Sequence, residues 1–422
     1  MTSRIPVLAL TLVLLVVLPP FLGLGWQNAL TNMLIASLFA MSFNLLMGQG
    51  GMLSFGHAAY FGLGAFATLH LMTAVEDGLA FPTMLLPLAG GLVGLVAGGI
   101  AGYFATQRAG VYFSLVTLAI AELLRSLAPH WGGMFGGESG LSSMRMPSMG
   151  LVFGDQIEVY YVALAWVALC LGLLWAYTRT PFGRLTLALR DNEQRIRFLG
   201  YDAHRSKILV FATSALFSGI AGGLLALSNE TANYNIFSTH MSAQVVLQTF
   251  VGGSGVFLGP VLGASLLTLF GFLVSEMTRS WLLYQGVIFV LVMLFLPKGL
   301  GGALVDLWRV RERLDCSRVA PLAALATLGG VLTAGATVFV VQTLEHILGT
   351  TYKAEVARTG LWEPVPLFGT EWDPLSPLTW ILPLGVAILG LTLLVEGRRR
   401  LAALAETSPT PPRHPPVLEA GE

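Results

Sequence analysis

TRTPFGRLTLALRDNEQRIRFLGYDAHRSK, residues 178–207, is a polar island between two long apolar runs, and it carries Arg179, Arg184, Arg190, Arg195, Arg197, Arg205 and Lys207. Basic loops of a bilayer-spanning chain stay on the cytoplasmic side, so the island is expected to face the cytoplasm. Inside it Phe182, Leu185, Leu189, Ile196 and Leu199 recur at helical steps. That spacing predicts a short amphipathic helix with an apolar stripe along one side. Gly200 follows, suited to a left-handed stop. An amphipathic helix on a cytoplasmic face implies a partner subunit to receive it.

Outward from the island the chain is strongly apolar. Hydrophobic residues make up 55% and charged residues 11%, against roughly 25% charged in an average soluble domain, and mean hydropathy is +0.74. This predicts an all-α polytopic membrane protein. The 49 glycines suit close helix crossings and broken helices that line a cavity, which favours a transporter or channel over simple anchors. Net charge is zero and the basic residues sit in loops, a pattern without a nucleic-acid stripe. Cys170 and Cys316 offer neither a disulfide nor metal-ligand spacing.

At about twenty apolar residues per crossing, spans are expected near 5–23, 28–47, 57–73, 83–104, 111–128 and 158–177 before the island. The first is read as a membrane helix rather than a cleaved signal. After the island come 208–228, 243–258, 260–276 and 280–297, about ten core spans in all. Segment 243–258 is short and ends in Gly252, Gly253, Gly255, Gly259 and Pro260, so a broken or re-entrant segment is expected there. A second basic cluster, Lys298, Arg309, Arg311, Arg313 and Arg318, agrees in side with the first. An extra C-terminal hairpin follows, near 319–342 and 376–395, with an outward connection between its arms. Arg398, Arg399 and Arg400 return the end to the cytoplasm, and residues 401–422 read as a disordered tail. Both termini are thus expected inside.

Few polar groups lie within the spans. Glu122 and Arg125, three apart, read as a structural intramembrane pair. Asn44, Gln49, Gln244 and Gln248 either line a path for a polar solute or bond between helices. Gly48, Gly50, Gly51 and Gly56 break the chain as Gly252 to Gly259 do, and transporters carry paired discontinuous helices of this kind. In the first break, Gly50, Gly51, Ser54 and His57 are candidates for the path. His57 is either a polar cap or a neighbour of free backbone amides that receive a carboxylate. It has no second histidine at metal spacing. Gly252-Gly253-Ser254-Gly255 matches the surroundings of an intramembrane protease serine, but no histidine base lies between His240 and His346. A stand-alone ion-driven carrier is a further alternative, although it wants a charged relay in the spans. No phosphate-binding loop is present, so this chain does not bind ATP by that route.

The run from Asn44 to Gly62 (NLLMGQGGMLSFGHAAYFG) resembles the signature of permease subunits of branched-chain amino acid ABC importers. Tyr112 to Arg125, Gly136 to Leu141, Pro181 to Gly200 and Pro297 to Leu300 fit the same family, so the likeness covers about 28–302. The 112–141 stretch resembles the larger of the two permease types that pair in one importer. The resemblance implies a second homologous permease, two cytoplasmic ABC ATPases and an extracytoplasmic solute-binding protein in the cell inner membrane. It implies that ATP and Mg are used by the ATPase subunits, with no cofactor in this chain. It further implies a permease core over 1–302 whose loop 178–207 couples to the ATPases through Leu189, Arg190, Asp191, Asn192, Glu193, Ile196 and Gly200. The acidic position of the usual coupling motif falls on Gln194, with Asp191 and Glu193 nearby. Residues 303–422 extend beyond the pattern. Relatives of this architecture also carry urea, short amides and other amino acids, and these remain alternatives for the solute.

Overall fold

The structure is a computed structural model that describes residues 13–148, 150, 152–276, 278, 280–311, 316–367 and 370–407. Residues 5–12 of the span expected at 5–23 therefore lie outside the described residues. The chain forms two compact units, Met1–Met277 with Val287–Ala303, and Thr278–Gly286 with Leu304–Glu422.

In the first unit α1 (Leu24–Asn44) runs into a π-helical turn, Leu45–Gln49. Next come α2 (Ala58–Glu76), α3 (Pro87–Ala105), α4 (Val111–Leu127) and α5 (Gln156–Arg179). The basic island holds α6 (Pro181–Asp191) and α7 (Glu193–Phe198). Beyond it lie α8 (Ala203–Asn229), α9 (Thr239–Gly252), α10 (Gly259–Ser275), α11 (Trp281–Phe295) and α12 (Gly299–Arg311), α11 and α12 extending past the unit's edges. Among the described residues eight helices are long and apolar enough to cross a membrane, six of them before residue 230. The pair α11 and α12 adds a ninth candidate bent by 45°.

α9 has 14 residues, so at 1.5 Å per residue it spans about 21 Å, short of a hydrocarbon core of about 30 Å. It stops at Gly253, and α10 starts six residues later. The discontinuity expected there is thus a pair of short helices.

Position in the bundle follows from composition. α1 is apolar on every side, and 83% of its most hydrophobic window is buried, whereas α4 buries only 28% and leaves Leu115 and Leu123 outward. Crossing distances are set by small residues. A Cβ on Gly219 of α8 would sit 2.2 Å from the Gly90 carbonyl of α3, so only glycine permits this approach.

In the second unit α13 (Cys316–Leu348) packs along α15 (Pro377–Thr407). Their connection folds into α14 (Thr350–Thr359) and an antiparallel hairpin, β1 (Val365–Leu367) and β2 (Thr370–Trp372). α15 continues to Thr407, which corrects the disorder expected from residue 401. Leu401-Ala402-Ala403-Leu404-Ala405-Glu406 consists of strong helix formers. The rest of that tail, 408–422, lies outside the described residues.

Candidate functional site

A cavity of about 160 Å³ opens among α1, α2, α8, α9 and α10. Ile35, Phe39, Phe61, Leu225 and Val245 supply an apolar wall, while Asn32, Gln244, Gln248 and Thr268 supply uncharged polar groups. Gln248 is buried, and its Nε2 donates to Thr268 Oγ1 at 3.4 Å. At roughly 30 Å³ per water the space holds about five waters, the scale of one small solute. Its chemistry suits an aliphatic group against the wall and a polar end at the amides.

The glycine break occupies different ground. Asn44 is buried with Oδ1 unpartnered, Gln49 Oε1 is likewise unpartnered, and neither lines the cavity. Gly50 and Gly51 close the π turn through Gly50 N to Leu45 O and Gly51 N to Met47 O. Gly51 has φ 68°, a left-handed conformation that glycine adopts without strain. The two breaks meet here, since a Cβ on Gly48 would sit 3.0 Å from the Ser254 carbonyl oxygen. Past the turn, Ser114 Oγ donates to Leu53 O and Phe55 N donates to Thr117 Oγ1. These bonds lash the segment to α4.

The backbone amides on either side of His57 are occupied. Gly56 N donates to Ser54 Oγ, and Ala58 N donates to Ser242 Oγ of α9 at 3.2 Å. These two amides are therefore not free to receive a carboxylate. His57 is fully buried beside Phe39, Phe43 and Tyr60, and its side chain caps no helix. Its Nε2 lies 3.1 Å from Ser42 Oγ and 3.4 Å from Ser214 Oγ. Both hydroxyl protons are committed, Ser42 to Phe39 O and Ser214 to Ser42 O. That assigns the ring proton to Nε2, donated to Ser42, and leaves Nδ1 an unpartnered acceptor. His57 ties α1 to α8. Ser254 has no histidine hydrogen-bonded to it among the described residues, so the protease arrangement is not assembled.

In the basic island of residues 178–207 the single short helix expected is two. Thr180 caps α6 through Gly183 N, and Asn192, at φ −161°, interrupts the chain and caps α7 through Gln194 N and Arg195 N. Gly200 closes α7 at φ 85°, with Gly200 N to Arg197 O and Tyr201 N to Ile196 O, the Schellman pattern.

Leu189 and Ile196, expected on a docking stripe, are only 6% and 0% exposed and pack with Ala203 and the half-buried Leu185 and Ala188. They anchor the loop to its own chain. The most exposed apolar side chains are Phe198 at 91% and Leu199 at 66%, followed by Tyr201. Glu193 bridges α7 to α8, accepting from Arg197 Nη2 at 2.7 Å and from Lys207 Nζ at 2.5 Å. Partial burial alone would raise its pKa, but these hydrogen bonds and charges outweigh it and hold the carboxyl below its ordinary range. Arg190 reaches inward to the Gly48 carbonyl, whereas Asp191 stays exposed. Glu122 and Arg125 pair at 2.8 Å on a partly exposed face, where Glu122 also accepts from Thr239 at the start of α9.

Of the residues expected along a path, then, Gln248 and Gln244 meet in the cavity. Asn44, Gln49, Gly50, Gly51, Ser54 and His57 gather at the break instead. Asn32 and Thr268 went unnoticed in the sequence, although a polar residue inside an apolar span is itself a signal. Phe39 and Phe61 carried none.

The model of the family described as branched-chain amino acid transport system permease component matches residues 26–297. The high-affinity branched-chain amino acid transport system permease protein LivM of Salmonella typhimurium is 31% identical over 313 residues, 68% of this chain and 73% of that protein. LivM of Escherichia coli is 30% identical with the same coverage. The probable branched-chain amino acid transport permease protein LivM of Methanocaldococcus jannaschii is 25% identical over 296 residues, 62% of this chain and 84% of that protein. No solved structure matches the chain.

Proposed function

The chain belongs to the branched-chain amino acid transport permease family, and from that premise we propose that it forms half of the path of an ATP-driven importer for branched-chain amino acids. A second homologous permease supplies the other half, and a solute-binding protein delivers the amino acid from outside. Two ABC ATPases bind at the cytoplasmic face and consume ATP and Mg. This chain couples to them and performs no catalysis. It lies in the cell inner membrane with both termini inside, since the basic clusters sit at the loops expected there. Residues 1–302 are the permease core and 303–400 an added hairpin.

The observation that carries this reading is the exposed pair Phe198 and Leu199 at the tip of a helix capped at both ends and pinned from behind by Leu189 and Ile196. An aromatic side chain 91% exposed on a rigid support is suited to a groove in a partner. When the ATPases close on ATP, the tip moves with them, and the permease pair changes the side to which its path opens. The cavity between α1 and α10 suits the solute, its apolar wall taking the branched side chain and Asn32, Gln244 and Gln248 facing the charged ends. Affinity purification of the tagged chain in mild detergent, with its partners expressed, tests the assembly. We expect a second permease and an ATP-hydrolysing pair, and in proteoliposomes ATP-dependent uptake of L-leucine. Recovery of this chain alone would overturn the reading. Urea displacing leucine would reassign the solute.

A further inference from the structure

Arg190 joins the cytoplasmic loop to the glycine break. Its Nη1 donates to the carbonyl of Gly48, 142 residues away in sequence. Its stem lies over Gly51, where an added Cβ would sit 3.0 Å from Arg190 Cγ and 3.3 Å from Arg190 Cβ. The acceptor is the leftover group of the π turn. Leu45, Leu46 and Met47 carbonyls receive Gly50, Met52 and Gly51 amides, and the Gly48 carbonyl receives the guanidinium. A helix C-terminus presents unpaired carbonyls and partial negative charge, so a cation there is well matched.

Both ends of this link are held firmly. On the loop side Tyr177 Oη meets Thr186 Oγ1 at 2.9 Å, and the Leu189 cluster fixes the face of α6 beside Arg190. On the other side Gly48 abuts Ser254 of the second break, and Ser114 and Thr117 bind the chain just beyond the first. A shift of α6 by a few ångströms must therefore either break the charged hydrogen bond or carry the paired breaks with it. We propose that Arg190 is a positioning residue, a strap that transmits movement of the α6–α7 loop to the two glycine breaks. This role rests on the coupling function proposed above for the loop.

The test uses Arg190→Gln and Arg190→Lys, with Arg195→Gln as an exposed control. In the full complex in proteoliposomes, we read co-purified ATPase, ATP hydrolysis and L-leucine uptake per ATP. In a cysteine-free background we also read the distance between nitroxides at Leu187 on α6 and Phe55 beyond the break, in the isolated chain and in the complex. Arg190→Gln is expected to keep its ATPase and its hydrolysis, to lose uptake per ATP roughly tenfold, and to broaden the distance distribution. Arg190→Lys should recover most of both, and Arg195→Gln should change neither. An unchanged distribution in Arg190→Gln overturns the strap, and so does a broadened one with normal uptake per ATP. Absence of ATPase from the wild-type preparation would instead remove the loop's coupling function. The distance in the isolated chain then still decides whether Arg190 holds the break.

Discussion

Gly200 and Phe198 lie two residues apart and depend on different physics. A Cβ at Gly200 would meet nothing within 4 Å, so the cost of a side chain there is its left-handed backbone alone, roughly 1–2 kcal/mol. Gly200→Val should lower the thermal stability of the purified protein by that order and weaken ATPase recovery. Gly200→Asn, which tolerates this conformation, should stay near wild type, and equal behaviour of the two variants would remove the backbone argument. Phe198→Asp removes a side chain that touches solvent, so thermal stability should change by less than about 0.5 kcal/mol while ATPase co-purification is lost. Leu189→Asp places an unpaired charge among Ile196 and Ala203 and should cost more than about 3 kcal/mol, read as loss of folded protein on size exclusion. If Leu189→Asp folded normally and lost only the ATPase, Leu189 would belong to the docking face after all.

At the scale of elements the loop is a clamp built from two caps and one carboxylate. Asn192→Ala removes the acceptor for two amides at the start of α7 and should destabilise that helix by about 1 kcal/mol, measured as faster hydrogen exchange over 193–198. Glu193 sets the pH response. Its folded pKa is depressed, so its contribution is complete above the ordinary glutamate value of about 4.3 and is lost as pH falls through the lower folded value. Protection of α7, corrected for intrinsic exchange, should therefore be flat from neutral pH to about 5 and fall below about 4. Glu193→Gln should start low and lack that fall. A decline on the alkaline side instead would assign the clamp to another group.

Across the whole molecule the bundle depends on close helix crossings. Gly219→Leu would drive a side chain into the Gly90 carbonyl and should abolish folding, whereas Gly172→Leu, on an open face of α5, should be tolerated, with fluorescence-detected size exclusion separating the two. Much of the architecture was legible in sequence. The span read at 28–47 is Leu24–Gln49 and the last arm at 376–395 falls on Pro377–Leu401, whereas the one at 260–276 folds as the 17-residue helix Gly259–Ser275, shorter than the spanning helices. Hydrocarbon demands about twenty apolar residues per crossing whatever packs beside them, so hydropathy along the chain was sufficient. Glycine at position 200 likewise announced its turn, because a left-handed φ is a local property. The sequence by itself therefore determined most of the spans, the positions of the breaks and the family. Only the tertiary structure decided that Leu189 and Ile196 face inward, that His57 is committed to Ser42, and that Arg190 caps Gly48. Each of these is a pairing between residues far apart in the chain, or a choice between two apolar faces with equal claims to burial, and the periodicity of one segment does not record which neighbour arrives to cover it.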